Sequence, residues 1–435
     1  MERIAAQPTA TSSCEEDDSE RSSSTSIHSL SISDFSSDTP LTATSQIFDA
    51  PAVSSHQFIA IIGGLGYIGS HTSLEMLKAG YNILIIDNLD NSYASVLDRV
   101  KSLASDYCKR ESRSMPQMRF EEADYRDAHA MKIILDQYWV GKQSAIDGVI
   151  HFAAHKSVSE SIKHPLKYYN NNVAGLINFC EVLGSYNIKK LVFSSSATVY
   201  GATANSGLPL KEEYCVHHPE EFLDHDGQYK TTLPGCNGLT NPYGRSKWMC
   251  EAILADLAYA DSEWNILALR YFNPVGCEES GLLREDPRGT PTNLMPVVVN
   301  VLTGKLAALD VFGTDYPTTD GSAVRDYIHV TDLACGHVAA LASAADRRGR
   351  VGLRTYNIGS GTGNSVFEIV GAMEAASGRN IPMNTTARRD GDVGSCVAVP
   401  TKAEIELNWR AEKNIHACCR DIVNSIRIGG EFELE

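Results

Sequence analysis

The chain lacks the marks of a membrane protein, a secreted scaffold or a nucleic-acid partner. No apolar run approaches the roughly 20 residues needed to span a bilayer. The first residues are Ser-rich and acidic and carry no apolar stretch of the secretory kind, so no signal peptide is expected. Positive charge is scarce: 38 Lys and Arg stand against 54 Asp and Glu, for a net charge of −16. That balance argues against non-specific nucleic-acid binding and against docking on an anionic membrane. Cysteine occurs 11 times, an odd number, and never as C-x-x-C. Free or buried thiols in a reducing compartment fit this usage better than a disulfide framework, and a cytoplasmic location is expected. An anionic small ligand is not excluded, because local Arg and backbone N–H groups hold such ligands inside acidic proteins.

What is present is a long globular chain with a polar start. Its 435 residues, 43% hydrophobic, suffice for two domains and a large core. Residues 1–56 are rich in Ser, Thr and acid and poor in large apolar side chains, which predicts a disordered tail. From Phe58 the pattern changes. "FIAIIGG", "YNILIIDN", "DGVIHFAA", "KKLVFSSS" and "LALRYFN" read as buried strands, with helical spacing between them; the first helix stops at Gly80. Strands alternating with helices predict right-handed βαβ units and a doubly wound parallel sheet of the α/β class. After Asn273 the chain loosens into loops rich in Pro and Gly. The expected partition is a nucleotide-binding domain over 57–273 and a smaller α/β substrate domain over 274–435. Residues 202 to about 240 read as an insertion, since loops of that length are uncommon and usually functional or mobile. His217, His218 and His225 lie in it with two nearby Cys, but their spacing matches no structural zinc pattern, and no metal is expected.

Two motifs carry chemistry. "IIGGLGYIGSH" supplies Gly63, Gly64, Gly66 and Gly69, satisfying G-x-G-x-x-G and a G-x-x-G-x-x-G variant between a predicted strand and a predicted helix. Such glycines permit a tight turn and bring backbone N–H groups to a pyrophosphate at the helix N-terminus, the Rossmann arrangement. Asp87 ends the second strand about twenty residues on, where a carboxylate accepts hydrogen bonds from an adenosine ribose and repels a 2′-phosphate. NAD is therefore favoured over NADP. The second motif, "NPYGRSK", places Tyr243 four residues before Lys247, on one face of a helix. A Lys ammonium that close is expected to lower the phenol's pKa from about 10 and provide a general base.

With these residues in hand, the chain from Phe58 to about Trp409 resembles the UDP-glucose 4-epimerases, extended short-chain dehydrogenase/reductases. "GGLGYIGSHT", "IIDNLDNS", "NNVAGLINF", "FSSSATVYG", "NPYGRSK", "LRYFNPVG", "NLMPVV", "FGTDYPTTDGSAVRDYIHVTDLA", "YNIGSGTGNSV" and "ELNW" occur in family order. The resemblance implies catalytic roles for Tyr243, Lys247 and Ser196. Tyr243 takes the proton of the sugar 4-OH while C4 gives hydride to NAD, and the 4-keto sugar then turns and takes the hydride back on its other face. It implies NAD contacts at Gly63, Gly66, Tyr67, Ile68, Gly69, Asp87, Asn88, Asp124, Tyr125, Phe152, Ala153, Lys156, Asn172, Ser194, Tyr243, Lys247 and Tyr271, with Lys247 hydrogen-bonding the nicotinamide ribose. It implies UDP-sugar contacts at Ser196, Asn273, Asn293, Leu294, Phe312, Arg325, Arg389 and Asp392, and a homodimer through helices of the NAD domain.

Departures from the family pattern are informative. Ala154 and His155 stand where many members read Gly-Leu. Cys396 stands where members confined to UDP-glucose and UDP-galactose tend to carry Tyr, which leaves room for an N-acetyl group and implies UDP-GlcNAc and UDP-GalNAc as further substrates. Ala197 and Thr198 follow Ser196 where dehydratases resembling this family carry Asp-Glu and decarboxylases tend to carry Glu. One alternative, another nucleotide-sugar-modifying enzyme of this scaffold, is thereby disfavoured; the other, a non-catalytic NAD-binding regulator, is disfavoured because such proteins usually lose the Tyr or the Lys, and Ser196, Tyr243 and Lys247 are all present here.

Overall fold

A computed structural model of the chain describes residues 56–431, apart from 224–226, 237, 290, 292, 346–351 and 390. The expected tail and His225 lie outside the described residues. Seven parallel strands form the main sheet. They are β1 (Phe58–Ile62), β2 (Asn82–Asp87), β3 (Met118–Glu122), β4 (Ile146–His151), β5 (Lys190–Ser196), β6 (Asn265–Tyr271) and β7 (Gly352–Ile358). Their spatial order is β7-β6-β5-β4-β1-β2-β3. The order reverses beside β1, which opens a crevice at the carboxyl ends of β1 and β4, where doubly wound sheets take ligands.

The helices cover both faces. One layer holds α1 (Tyr67–Lys78), α2 (Ser95–Arg110) and the helix Val330–Ala345; their Leu74, Leu77, Val100, Leu333 and Val338 pack on Ile59, Ile61, Leu267 and Leu269. The other layer holds α3 (Ala128–Asp136), α4 (Gly175–Ser185) and α5 (Pro242–Ala260), whose Ile134, Phe179, Cys250 and Leu254 pack on Leu191, Phe193, Ile266 and Ala268. Alternate residues of one strand thus serve opposite layers, as the pleat dictates. This burial on both faces is why β1, β2 and β6 are fully buried strands.

All five expected strands are present. Two more complete the sheet. β3 ("MRFEE") is a half-exposed edge strand with too few apolar residues to stand out. β7 comes from far beyond Asn273, so the main sheet draws a strand from the segment expected to belong to the second domain. The remaining C-terminal elements form a small sheet of Asn273–Val275, Val324–His329, Gly363–Ser365 and Ser395–Cys396, and a parallel pair of Leu309–Phe312 with Met383–Thr386. A third apolar cluster including Val298, Val311, Ile369, Met373, Cys418 and Ile422 holds this region together.

The insertion is not a bare loop. It contains a 3-10 turn at Glu212–Tyr214 and a hairpin of Glu220–Leu223 with Tyr229–Thr232. A bridge from Leu210 to Ala398 and hydrogen bonds between Leu210 and Val397 and Val399 stitch its start to the C-terminal region. Among the described residues no helix is long and apolar enough to cross a membrane.

Candidate active site

The glycine motif shapes one end of the site. Gly63 closes the turn after β1 with φ +76°, and α1 starts at Tyr67 with no side-chain cap. The first-turn N–H groups are therefore free for a ligand. A Cβ on Gly69 would lie 2.2 Å from the Gly63 carbonyl oxygen and 2.8 Å from the Gly64 Cα, so the turn and helix approach as closely as only Gly permits. This cradle at a helix N-terminus, with Asp87 at the end of β2, fits a dinucleotide pyrophosphate and ribose. The Asp87 carboxylate accepts from Leu65 N and Leu89 N, each at 3.0 Å, and from Ser92 Oγ at 2.7 Å, which holds it rigid at the cavity wall.

A cavity of about 740 Å³ runs from this cradle to the ends of β5 and β6. Of the expected NAD contacts, Gly63, Gly66, Tyr67, Ile68, Gly69, Asp87, Asn88, Tyr125, Phe152, Ala153, Lys156, Ser194 and Tyr271 line it, as do Tyr243 and Lys247. Asp124 and Asn172 do not. Asp124 is engaged by Arg126 and by Asn88 at 3.4 Å. Asn172 sits behind the wall: its Oδ1 accepts from His155 N at 2.9 Å and its Nδ2 donates to Ser246 Oγ at 3.0 Å. It braces the "HFAAHK" loop from outside the cavity. Lys156 faces Glu285 at 3.1 Å.

Asn241 starts α5 by accepting from Gly244 N at 2.8 Å, with Pro242 in the first turn. This sets Tyr243 at the start of the helix, near Ser196 at the end of β5, which draws the phenol's pKa down. Ser196 accepts from Thr198 N at 3.2 Å and Oγ1 at 3.0 Å. One turn on, Lys247 donates to the Ser194 carbonyl and, at 3.2 Å, to Ser194 Oγ, and its ammonium lies 4.7 Å from the Phe193 ring centre. Tyr271 hydrogen-bonds His337 beside Tyr243.

The electrostatics correct one expectation. Lys247 does not lower the Tyr243 pKa. Burial raises the phenol above its ordinary value, and the neighbouring Ser196 only partly offsets it. The reason is geometric: Lys247 turns its ammonium to Ser194. Burial in turn pulls Lys247 down to about 8.

A second group gathers in the C-terminal region. Arg389 stacks 4.6 Å over the Phe312 ring and donates to Asp392 at 2.9 Å, while Arg325 reaches Asp392 at 3.8 Å. Cys396 pairs with Arg325 across adjacent strands and packs near Tyr200 and Phe272. Phe312, Arg325, Arg389, Asp392 and Cys396 therefore form one neighbourhood, though none lines the large cavity. Asn293 does line it, as the residue that starts the helix Leu294–Leu302. Leu294 packs on the third apolar cluster, and Asn273 is exposed at the start of its short strand.

Ser195, His337, Glu251 and Arg270 were not singled out from the sequence. Spacing offered a signal for Glu251, which lies one turn beyond Lys247 on the face that carries Tyr243.

The pattern defining the "NAD dependent epimerase/dehydratase family" matches residues 59–359. The chain belongs to that family. It is 45% identical over 363 residues to a UDP-glucose 4-epimerase of Bacillus subtilis, covering 83% of this chain and 95% of that one. It is 44% identical over 370 residues to a UDP-glucose 4-epimerase of Homo sapiens, covering 84% and 94%. Among solved structures, a UDP-glucose 4-epimerase from Bifidobacterium longum in complex with NAD+ and UDP superimposes with a TM-score of 0.73. That pair is 39% identical, with 86% of this chain and 99% of that one covered. This family's scaffold accounts for the cradle, the crevice and the Tyr-x-x-x-Lys helix in one molecule.

Proposed function

We propose that this chain is an NAD-dependent UDP-hexose 4-epimerase that interconverts UDP-glucose and UDP-galactose. The observation that carries the reading is that Tyr243 and Lys247, one helical turn apart, line the far end of a cavity that starts on the glycine cradle. The glycine cradle and the cavity lined by Tyr243 and Lys247 would hold NAD, which would supply a reversible hydride acceptor for the sugar C4. Ser196 holds the sugar 4-oxygen. Tyr243 takes the 4-OH proton as hydride leaves, and gives it back after the 4-keto sugar has turned. Arg325 and Arg389 grip the diphosphate, Phe312 stacks on uracil and Asp392 binds the ribose. Anchoring through the nucleotide leaves the hexose free to present either face. Asn273, Asn293 and Leu294 border the phosphates and sugar.

Ala197 and Thr198 offer no carboxylate for proton transfer at C5 or C6, which favours epimerisation over dehydration or decarboxylation. Cys396, a small residue in the Arg325 neighbourhood, supports UDP-GlcNAc and UDP-GalNAc as additional substrates. A homodimer through α4 and α5 is supported by the exposed Ile177 and Met249 on those helices. Net charge and cysteine usage support a cytoplasmic location. A partition into an NAD-binding part and a UDP-sugar part near residue 273, with β7 assigned to the first, is in keeping with β7 pairing in the main sheet.

The test is turnover of UDP-galactose and UDP-GalNAc by the purified protein without added reductant. Conversion of UDP-galactose that is lost in Tyr243→Phe supports the reading; no conversion overturns it. Failure on UDP-GalNAc alone removes the Cys396 argument and leaves the mechanism.

A further inference from the structure

The strongest unassigned feature is a buried carboxylate behind the catalytic residues. Glu251 lies on α5, four residues after Lys247 and eight after Tyr243, and is fully buried. The sheet meets it with a matched pair. Ser195 and Arg270 are register partners on β5 and β6, one residue before the partners Ser196 and Tyr271. Strand alternation aims both side chains at α5. Ser195 Oγ and Arg270 Nε, the latter at 3.1 Å, donate to Oε1 of Glu251. Arg270 Nη2 donates to Oε2 at 2.7 Å.

The fourth donor comes from the insertion. His217 Nε2 meets Glu251 Oε2 at 2.8 Å, and its side chain is 4% exposed. The same segment caps the guanidinium: the Cys215 carbonyl accepts from Nη2 at 2.7 Å and the Glu212 carbonyl from Nη1 at 3.3 Å. Tyr200 completes Arg270 at 3.0 Å. Cys215, His217 and Glu251 have the atom types of a metal site, but both carboxylate oxygens already serve Arg270 and its neighbours. The His217 Nδ1 has no partner among the described residues, so its contact with Glu251 is the only hydrogen bond the ring makes there.

We propose that Glu251, clamped by Arg270, Ser195 and His217, is a positioning residue that fixes Tyr243 and Lys247 against Ser196. Through His217 the inserted segment becomes part of the catalytic framework. The clamp ties α5 to the strand pair one residue below the reacting groups. A slide or rotation of α5 would have to break a four-donor buried charge network, and breaking such a network is costly even where its net stabilisation is small. The inference rests on the epimerase reading for its kinetic expectation, but not for its spectroscopic one.

The experiment compares NAD-loaded parent, His217→Leu and His217→Gln. The two readouts are kcat and KM for UDP-galactose, and the tyrosinate absorbance titration of Tyr243 obtained by difference against Tyr243→Phe. Misplacement of reacting groups by about 1 Å costs up to roughly 100-fold in rate. His217→Leu is expected to lose about tenfold or more in kcat with KM within about twofold, and to raise the Tyr243 titration midpoint as the phenol and Ser196 move apart. His217→Gln, whose amide N–H can reach the same oxygen, restores both. A His217→Leu variant with parental kcat and parental midpoint overturns the proposal whatever its melting temperature, and so does absence of rescue by Gln. A parent that does not turn over UDP-galactose sinks the epimerase reading while the titration still decides the positioning role.

Discussion

The chemistry of the site is decided by which way a few side chains turn. Sequence spacing puts Tyr243 and Lys247 on one helix face, and that much is legible from "NPYGRSK". It does not say that the ammonium folds down onto Ser194 while burial raises the phenol. Removing the phenol hydroxyl in Tyr243→Phe should lower kcat by about 10²–10⁴, the usual span for a general base, with NAD content unchanged; a coupled assay on UDP-galactose measures it. Lys247 supplies a test that needs no substrate. Its folded pKa is about 8 against 10.5 unfolded, so between those values the unfolded chain binds more protons. Stability from this group therefore rises as pH rises from 8 to 10.5, by at most about 1.4 kcal/mol per pH unit. Urea unfolding at pH 8 and pH 10 should show the parent gaining on Lys247→Met, and an equal pH response of the two would refute the lowered pKa of Lys247.

Elements were legible where their period was strong. β1, β2, β4, β5 and β6 each carry a short apolar run because helices cover both sides of the sheet. β3 was not, since its exposed edge tolerates Arg119, Glu121 and Glu122. β7 was not, since strand order is a tertiary property and its partner β6 lies some eighty residues upstream. The glycine turn is where local sequence and ligand geometry coincide most closely. Gly69→Ala places a methyl 2.2 Å from the Gly63 carbonyl oxygen, a contact that backbone must move to relieve. The expected outcome is loss of NAD from the purified protein, seen as a fall in cofactor released on denaturation, with the apo fold kept. Ala at Gly371, whose Cβ would meet nothing within 4 Å on the helix Val366–Ser377, serves as the control and should retain NAD.

At the scale of the whole molecule, burial of titratable groups sets the response to acid. Three fully buried histidines are held neutral. His71 donates from Nδ1 to the Tyr67 carbonyl at 2.7 Å and accepts from Glu278 N at 3.1 Å. His337 donates from Nδ1 to the Leu333 carbonyl at 2.8 Å and accepts from the Tyr271 hydroxyl. Each ring therefore needs one bare nitrogen, and protonation would cost a hydrogen bond as well as desolvation. His151 sits among Tyr125, Phe179 and Phe193 with neither nitrogen partnered among the described residues. Burial lowers His71 and His337 to about 4 and His151 to about 3, against 6.5 unfolded. Below pH 6.5 the unfolded chain then binds up to three more protons, so stability falls on acidification toward pH 4. The slope from these groups reaches about 4 kcal/mol per pH unit. Glu212, Asp326 and Asp332, whose carboxyls burial pushes up, bind protons in the folded state and soften the loss at the acid end of that window. His151→Phe is the cleanest probe, because an aromatic ring of similar shape replaces one that makes no hydrogen bond. It should remove about one proton's worth of slope, roughly 1.4 kcal/mol per pH unit, between pH 6.5 and 5 in guanidinium unfolding. A variant whose stability falls with acid as steeply as the parent's would mean that His151 is not held neutral by the fold.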